Sequence, residues 1–174
     1  MERLLPLRHT YEVAAHLSLK EQLRLTPRTA VGHFTSAEAL IAIMEDAGSI
    51  NPQVKVSQTQ ENSWLMVVER TFEADWPGWL RGFVGDGLRI HEERIWTIES
   101  ESLARGTMSL RVHGQPVSMD GVVELRSDSA GSLITVEADV RANVPLLGGK
   151  IETEVRTYLA AGIQHEIREF NKLA

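Results

Sequence analysis

The chain has 174 residues, of which 43% are hydrophobic and 24% are charged, a composition typical of a soluble domain with a buried core. Its net charge of −6 argues against a nucleic-acid surface, because the 18 basic residues are scattered among 24 acidic ones. The absence of cysteine removes disulfides, thiolate catalysis and thiolate metal sites. We therefore expect one domain over residues 1–174 that binds no nucleic acid.

The sequence also lacks membrane and export signals. No window approaches the ~18 consecutive apolar residues of a membrane span. The first six residues lack the long apolar centre of a signal peptide. We expect a cytoplasmic protein with no stable membrane insertion.

The first predicted element is a strand over Leu7–Val13, where apolar and polar residues alternate. Ser18 and Glu21 resemble a capping box, which predicts a short helix that ends before Pro27. The alternative is a strand over Gln22–Val31, since its apolar residues also fit a period of two.

The second predicted helix has stronger end signals. Thr35 with Glu38 forms another capping-box pattern, and Gly48 is a typical helix terminator. The apolar face between these ends consists of Ala39, Leu40, Ile43 and Met44.

Alternating segments separated by turn residues then predict an antiparallel meander. Its strands are expected at Gln53–Gln58, Trp64–Phe72, Leu88–Ile98, Leu103–His113, Val117–Leu125 and Leu133–Val144. The segment Asp75–Gly85 is rich in aromatic residues and glycine and is too long for a hairpin turn, so we expect it to fold over an open edge or end of the sheet. Its Trp76, Trp79 and Phe83 would form either a lid over a cavity or, as we favour, a fixed cluster.

The last strand and the helix after it carry the clearest patterns. Small and medium apolar residues occupy every second position from Ile134 to Val144, which indicates one dry and one wet face. Such a face suits a cavity wall, and it also suits a sheet packed tightly on a helix. After Pro145 and Gly148 the period changes to 3.6 and predicts a long terminal helix. Its apolar stripe comprises Ile151, Val155, Tyr158, Leu159, Gly162, Ile163, Phe170 and Leu173.

This order of elements resembles the helix-grip fold of the START-like (SRPBCC) superfamily of polyketide cyclases and lipid-transport proteins. The segments Asn143–Glu152 and Pro116–Gly121, with the strand that ends at Trp96, are similar to an uncharacterised, mainly actinobacterial family of that superfamily. The resemblance implies an α+β fold in which a curved antiparallel sheet of about seven strands wraps a long C-terminal helix, with short helices after the first strand. It also implies a lipid, sterol, polyketide or other hydrophobic ligand between sheet and helix, and catalysis in a minority of members.

Sequence motifs for metals, cofactors and catalysis are missing. None of the six histidines forms an HxH or HxxxH pair, and the chain has no GxSxG elbow, P-loop or GxGxxG loop. We therefore predict no metal site, no cofactor and no catalytic residue.

Four polar positions, Glu92, Arg94, Tyr158 and Glu166, are candidates for ligand recognition in the helix-grip cavity. Glu92 and Arg94 share a strand face with Ile90 and Trp96, which would place both charges inside, unless a bulge leaves Ile95 inside and the charges in water. We weigh these alternatives equally. Tyr158 could donate a hydrogen bond to a ligand or simply pack at the edge of the core.

Glu166 falls near the middle of the apolar stripe of the terminal helix. A carboxylate there must lie at a wet mouth, be protonated or meet a cation such as Arg94. The interpretation we favour is that the helix leaves the sheet before Glu166.

Together with these patterns, the resemblance implies a protein that holds a hydrophobic small molecule or lipid and carries, stores or senses it. The sequence does not predict an oligomeric state. One alternative is a cyclase-like or hydrolase-like enzyme that uses Glu92, Arg94 and Glu166 as acid, electrostatic and base groups; we expect binding rather than catalysis. A second alternative is an interaction module with a collapsed cavity. The predicted cavity lining is Val136, Ala138, Val140, Ala142, Met108, Leu110, Val123, Leu159, Ile163 and Trp79.

Overall fold

The computed structural model of the protein describes residues 14–73, 77–84 and 87–174. These residues form seven strands and four helices. The strands are β1 (Ala15–Leu23), β2 (Ser49–Gln60), β3 (Ser63–Phe72), β4 (Leu88–Ser100), β5 (Leu103–Val112), β6 (Val117–Asp128) and β7 (Gly131–Ala142). The helices are α1 (Pro27–Phe34), α2 (Ala37–Asp46), α3 (Gly78–Val84) and α4 (Gly148–Asn171).

The strands form one curved antiparallel sheet in the order β1-β7-β6-β5-β4-β3-β2. The chain runs from β2 to β7 as a meander, and β1 pairs with β7 from Ala15 opposite Val140 to Leu23 opposite Ser132. The long helix α4 packs on β1 and β7. This architecture confirms the predicted α+β helix-grip fold with short helices after the first strand.

The six predicted meander strands are confirmed, and burial alternates most clearly along β4 and β7. In β7 the alternation is unbroken, from Ile134 to Ala142, with the apolar side chains buried. The β6–β7 turn depends on Gly131, because its φ of +136° is rare for other residues and an added Cβ would lie 2.5 Å from the Leu23 carbonyl oxygen. That contact brings the turn against the end of β1.

The predictions for the residues between 18 and 31 are wrong. Ser18 lies in β1 rather than at a helix start, because Leu17 and Leu23 are buried on one face of a strand that hydrogen-bonds to β7. The alternative strand over Gln22–Val31 is also wrong beyond Leu23, since Thr26 caps α1 and accepts a hydrogen bond from the backbone N–H of Thr29. The strand predicted over Leu7–Val13 lies outside the described residues.

The predicted second helix exists as α2, but its cap is one residue later than the sequence suggested. The Ser36 side chain, not that of Thr35, accepts a hydrogen bond from the Ala39 backbone N–H. Leu40 and Met44 are buried as expected.

Helix α4 is buried at its two ends and only half-buried between them. Its buried residues are Gly148, Ile151, Glu152, Ile167 and Phe170. The sheet-facing residues of its middle turns, such as Leu159 and Ile163, remain half-buried. Leu173, which we placed on the apolar stripe, follows the helix end and is 53% exposed. A space therefore lies between the middle of α4 and the sheet.

The contact between β6 and β7 is tightly packed, unlike the region between the middle of α4 and the sheet. Gly121 stands opposite Ala138, and a Cβ added to Gly121 would lie 2.6 Å from the Ala138 Cβ. Neither residue has room for a larger side chain without a backbone shift.

We predict that Gly121→Ala lowers the free energy of unfolding by about 1–3 kcal/mol or more, because the new methyl group overlaps Ala138. Gly162→Ala is the matched control: a Cβ at Gly162 meets nothing within 4 Å, so alanine in this helix should stabilise by about 0.5–1 kcal/mol. Urea unfolding of both variants measures the difference, and equal effects would contradict the close packing at Gly121.

Candidate functional site

A cavity of about 370 Å³ lies between the middle of α4 and the inner face of the sheet. The helices and strands around it contribute mainly apolar side chains, and the polar ones are few. Its wall consists of Phe34, Ile43, Met44, Asp46, Ala47, Arg70, Phe72, Leu88, Ile90, Glu92, Arg94, Trp96, Met108, Leu110, Val112, Met119, Val123, Ile134, Val136, Val155, Tyr158, Leu159, Ala161, Gly162, Ile163, His165, Glu166 and Ile167.

Six of the residues predicted to line a cavity lie on this wall. They are Met108, Leu110, Val123, Val136, Leu159 and Ile163. The polar candidates Glu92, Arg94, Glu166 and Tyr158 lie on it as well. That any of them contacts a ligand stays a prediction.

Three predicted lining residues of β7 are buried but lie off the cavity wall. Ala138 packs against Gly121, and Val140 has no exposed surface. The first turn of α4 covers Ala142, whose backbone N–H donates a 2.8 Å hydrogen bond to Glu152 Oε1. The helix start thus closes this end of the sheet, where the sequence alone predicted open space.

Trp79, the remaining predicted lining residue, belongs to α3 and also lies off the cavity wall. Its ring is half-buried, and Lys150 Nζ of α4 lies 4.0 Å from the ring centre. The other two residues of the proposed lid, Trp76 and the side chain of Phe83, lie outside the described residues.

Glu92 and Arg94 point inward, which decides between the two alternatives for β4. The β4–β5 pairing has no register shift between Ile90 and Ile98, so no bulge reverses the strand face. The side chain of Glu92 is 4% exposed and that of Arg94 is 10% exposed.

The two buried charges are compensated by each other and by α4. Arg94 Nε donates a hydrogen bond to Glu92 Oε1. Arg94 Nη1 and Nη2 donate to the two carboxylate oxygens of Glu166 at 2.6 and 3.0 Å. Our favoured interpretation of Glu166 was therefore wrong: α4 stays over the sheet as far as the buried Phe170, and Glu166 meets the cation Arg94.

Arg70 of β3 completes this group, and the sequence analysis missed it. Arg70 Nη2 lies 3.5 Å from Glu92 Oε2, and Nη1 donates a 3.1 Å hydrogen bond to Ser49 Oγ. Arg70 follows the buried Met66 and Val68 at the same two-residue interval, so the alternation of β3 could have indicated that its side chain points inward. We call Arg70, Glu92, Arg94 and Glu166 the charge cluster; its formal charges sum to zero.

The charge cluster keeps Glu92 and Arg94 ionised. Burial acts to raise the pKa of Glu92, but the Arg94 and Arg70 guanidinium groups outweigh it and leave that pKa below its ordinary value. Burial likewise acts to lower the pKa of Arg94, and the Glu166 and Glu92 carboxylates reverse it to a net increase. Glu92 is therefore a carboxylate that accepts hydrogen bonds and not a proton donor.

Fold comparison identifies the chain as one with a helix-grip-like fold. A crystal structure of TTHA0849 from Thermus thermophilus matches 91% of this chain and 95% of its own, with a TM-score of 0.61 and 11% identity. The crystal structure of Ara h 8.0201 matches 90% of this chain and 97% of its own, with a TM-score of 0.53 and 10% identity. At these identities the likeness shows the fold alone.

Residues 19–173 match the family described as "Protein of unknown function (DUF2505)", and the chain belongs to this family. Uncharacterized proteins of Mycobacterium tuberculosis and Mycobacterium bovis are 26% identical over 94 residues, which are 53% of this chain. The chain spans about half the length of these curated relatives. Within the described residues, no helix has the length and apolarity needed to cross a membrane.

We predict that Arg94→Met destabilises the protein by about 3–5 kcal/mol, because it leaves Glu92 and Glu166 without their shared cation. Arg105→Met is the matched control: Arg105 also pairs with two carboxylates, Glu99 and Glu124, but on the exposed face of the sheet, so its loss should change little. Denaturant unfolding of both variants gives the comparison. A small effect at Arg94 would contradict the energetic role of the charge cluster.

Proposed function

We propose that the chain is a single START-like domain over residues 1–174 that binds an uncharged, mostly apolar small molecule or lipid. The ligand would lie between the sheet and α4, and the protein would carry, store or sense it. The observation that carries this proposal is the half-buried middle of α4, whose apolar side chains face a cavity of about 370 Å³. Each Å² of apolar surface that is removed from water stabilises a protein by about 25 cal/mol. An apolar ligand in the cavity would provide this stabilisation by covering the cavity wall.

The cavity volume favours a compact ligand. Binding pockets for small molecules usually enclose about 300–1,000 Å³, and this cavity lies near the lower limit. A single acyl chain or a small ring system suits that volume better than a lipid with two chains.

The charge cluster favours a ligand without a net charge. All three Arg94 nitrogens already donate to carboxylates, and its partner Glu92 is held by Arg70 as well. An anionic head group could pair with Arg94 only if it displaced Glu166, and a cationic one could pair with Glu166 only if it displaced Arg94. A hydroxyl or carbonyl group could accept or donate a further hydrogen bond without breaking either pair.

The same geometry supports binding over the two alternatives. A general acid at the working pH needs a raised pKa, whereas the pKa of Glu92 is lowered by its two arginines. In an interaction module with a collapsed core, the middle of α4 would be fully buried against the sheet. In this protein the middle of α4 is only half-buried.

We predict that Leu159→Trp reduces the affinity for an environment-sensitive apolar dye by about tenfold or more, because the indole would occupy the cavity. The melting temperature should change little, since the cavity accommodates the ring. Val122→Trp, at a position 56% exposed on the outer face of the sheet, is the control and should bind the dye as the parent does. A parent that binds no apolar dye, or a Leu159→Trp variant that binds it unchanged, would contradict the proposal.

We also predict that the protein prefers a fatty alcohol to the fatty acid of the same chain length by about tenfold or more at pH 7. The carboxylate would enter a buried site in which Arg94 is already paired, and a buried charge without a partner is costly. Competition of each compound with the apolar dye gives both affinities, and tighter binding of the acid would identify the charge cluster as an anion receptor instead.

A further inference from the structure

A second group of polar side chains lies where the cavity reaches the surface. Asp46, the last residue of α2, approaches His165 and Glu169, which lie one turn apart on α4. One ligand atom from each residue lies within 4.8 Å of the other two. Asp46 and His165 also line the cavity, and the Asp46 side chain is 68% exposed.

His165 and Asp46 lie close together without forming a hydrogen bond. His165 Nε2 lies 3.3 Å from Asp46 Oδ2, yet this buried nitrogen has no hydrogen-bond partner among the described residues. A buried polar atom without a partner is uncommon in proteins and is often satisfied by a water or an ion.

The same separation fits two ligands of one metal ion. Zinc binds histidine nitrogen and carboxylate oxygen at about 2.0–2.2 Å in a tetrahedron, which sets neighbouring ligand atoms roughly 3.3 Å apart. His165 and Glu169 are four residues apart on a helix, so their side chains project from the same face. Both residues can therefore turn toward an ion beside Asp46.

We propose that Asp46, His165 and Glu169 bind a divalent transition-metal ion, with zinc as the best match for one imidazole nitrogen and two carboxylate oxygens. Three protein ligands leave a coordination position for water or another small ligand. The ion would join the end of α2 to α4 at the edge of the cavity. The sequence does not reveal this group, because the group contains a single histidine and Asp46 comes from a different helix.

Lys172 competes with the proposed ion for one ligand. Its Nζ donates to both carboxylate oxygens of Glu169, at 2.6 and 2.7 Å. The Lys172 side chain is 69% exposed, so it can swing into solvent when an ion takes its place. Removal of this ammonium group should strengthen metal binding.

The outer face of the sheet offers a matched control. His16 also contacts two carboxylates, but Asp139 bonds to its Nδ1 at 2.9 Å and Glu137 to its Nε2 at 2.8 Å. The two ring nitrogens point in different directions, so these carboxylates cannot share one ion with the imidazole. Both nitrogens of His16 are already satisfied.

The test is a titration of the full chain, stripped of metal by a chelator, with zinc chloride in a calorimeter. We expect one zinc ion per chain, and about tenfold or greater loss of affinity in Asp46→Asn and in His165→Gln. Lys172→Met should bind severalfold more tightly, and His16→Gln should match the parent. Zinc should also raise the melting temperature of the parent but not that of Asp46→Asn.

The proposal would be overturned by a parent that binds no zinc, by an affinity unchanged in both Asp46→Asn and His165→Gln, or by an equal loss in His16→Gln. An unchanged affinity in Lys172→Met would remove Glu169 from the ligand set and with it the site as proposed. Melting curves measured in chelator show whether each variant folds. Because the Asp46 side chain is exposed, Asp46→Asn should fold, and it still tests the site if His165→Gln fails to fold. Binding of the apolar dye by the stripped protein tests the proposed function separately.

Discussion

The contact between Arg94 and Glu166 joins the middle of the sheet to the terminal helix across the cavity. Glu92 and Arg94 lie on the inward face of β4, and neither can reach water without reversal of the whole strand face. They pair with each other, and their remaining compensation comes from neighbouring elements: Arg70 from β3 and Glu166 from α4. A bidentate pair also has a fixed geometry, so it sets the rotation of α4 as well as its distance from the sheet.

With that pair in place, α4 is buried near both ends, and between them its apolar face stays half-buried over the cavity. Glu152 bonds to the end of β7, and Phe170 packs edge-on against Phe34 of α1 with 4.7 Å between ring centres. These anchors explain how an apolar helix middle persists without collapse onto the opposite wall. The cavity and the charge cluster are thus two aspects of one arrangement.

The parts of the fold that follow from local pattern could be predicted from the sequence, and the parts that depend on distant partners could not. Period-two alternation predicts the meander and β7, and the helical stripe predicts α4. Ser18 resembled a helix cap because pairing of β1 with β7 is invisible in a local window. The wall at Ala138 and Ala142 appeared open because small residues fit a cavity and a tight interface equally well. The inward charges of β4 were identified as candidates, and Arg94 was one of the alternatives for Glu166. The choice among these alternatives, and the contact of Arg70 with Glu92, required the register of the strands and the position of α4.

The strand order also leaves β2 at one edge of the sheet, where unpaired backbone groups invite another strand to add. The beginning of β2 contains Asn51 at a φ of +48°, followed by Pro52, and its register with β3 shifts between Ile50 and Gln53. Proline has no N–H to offer, and the irregular backbone bends the outer row of donors and acceptors away from a straight line. Lys55 adds an exposed charge three residues further on. The beginning of this edge is therefore protected against intermolecular sheet extension, the usual first step of β-aggregation.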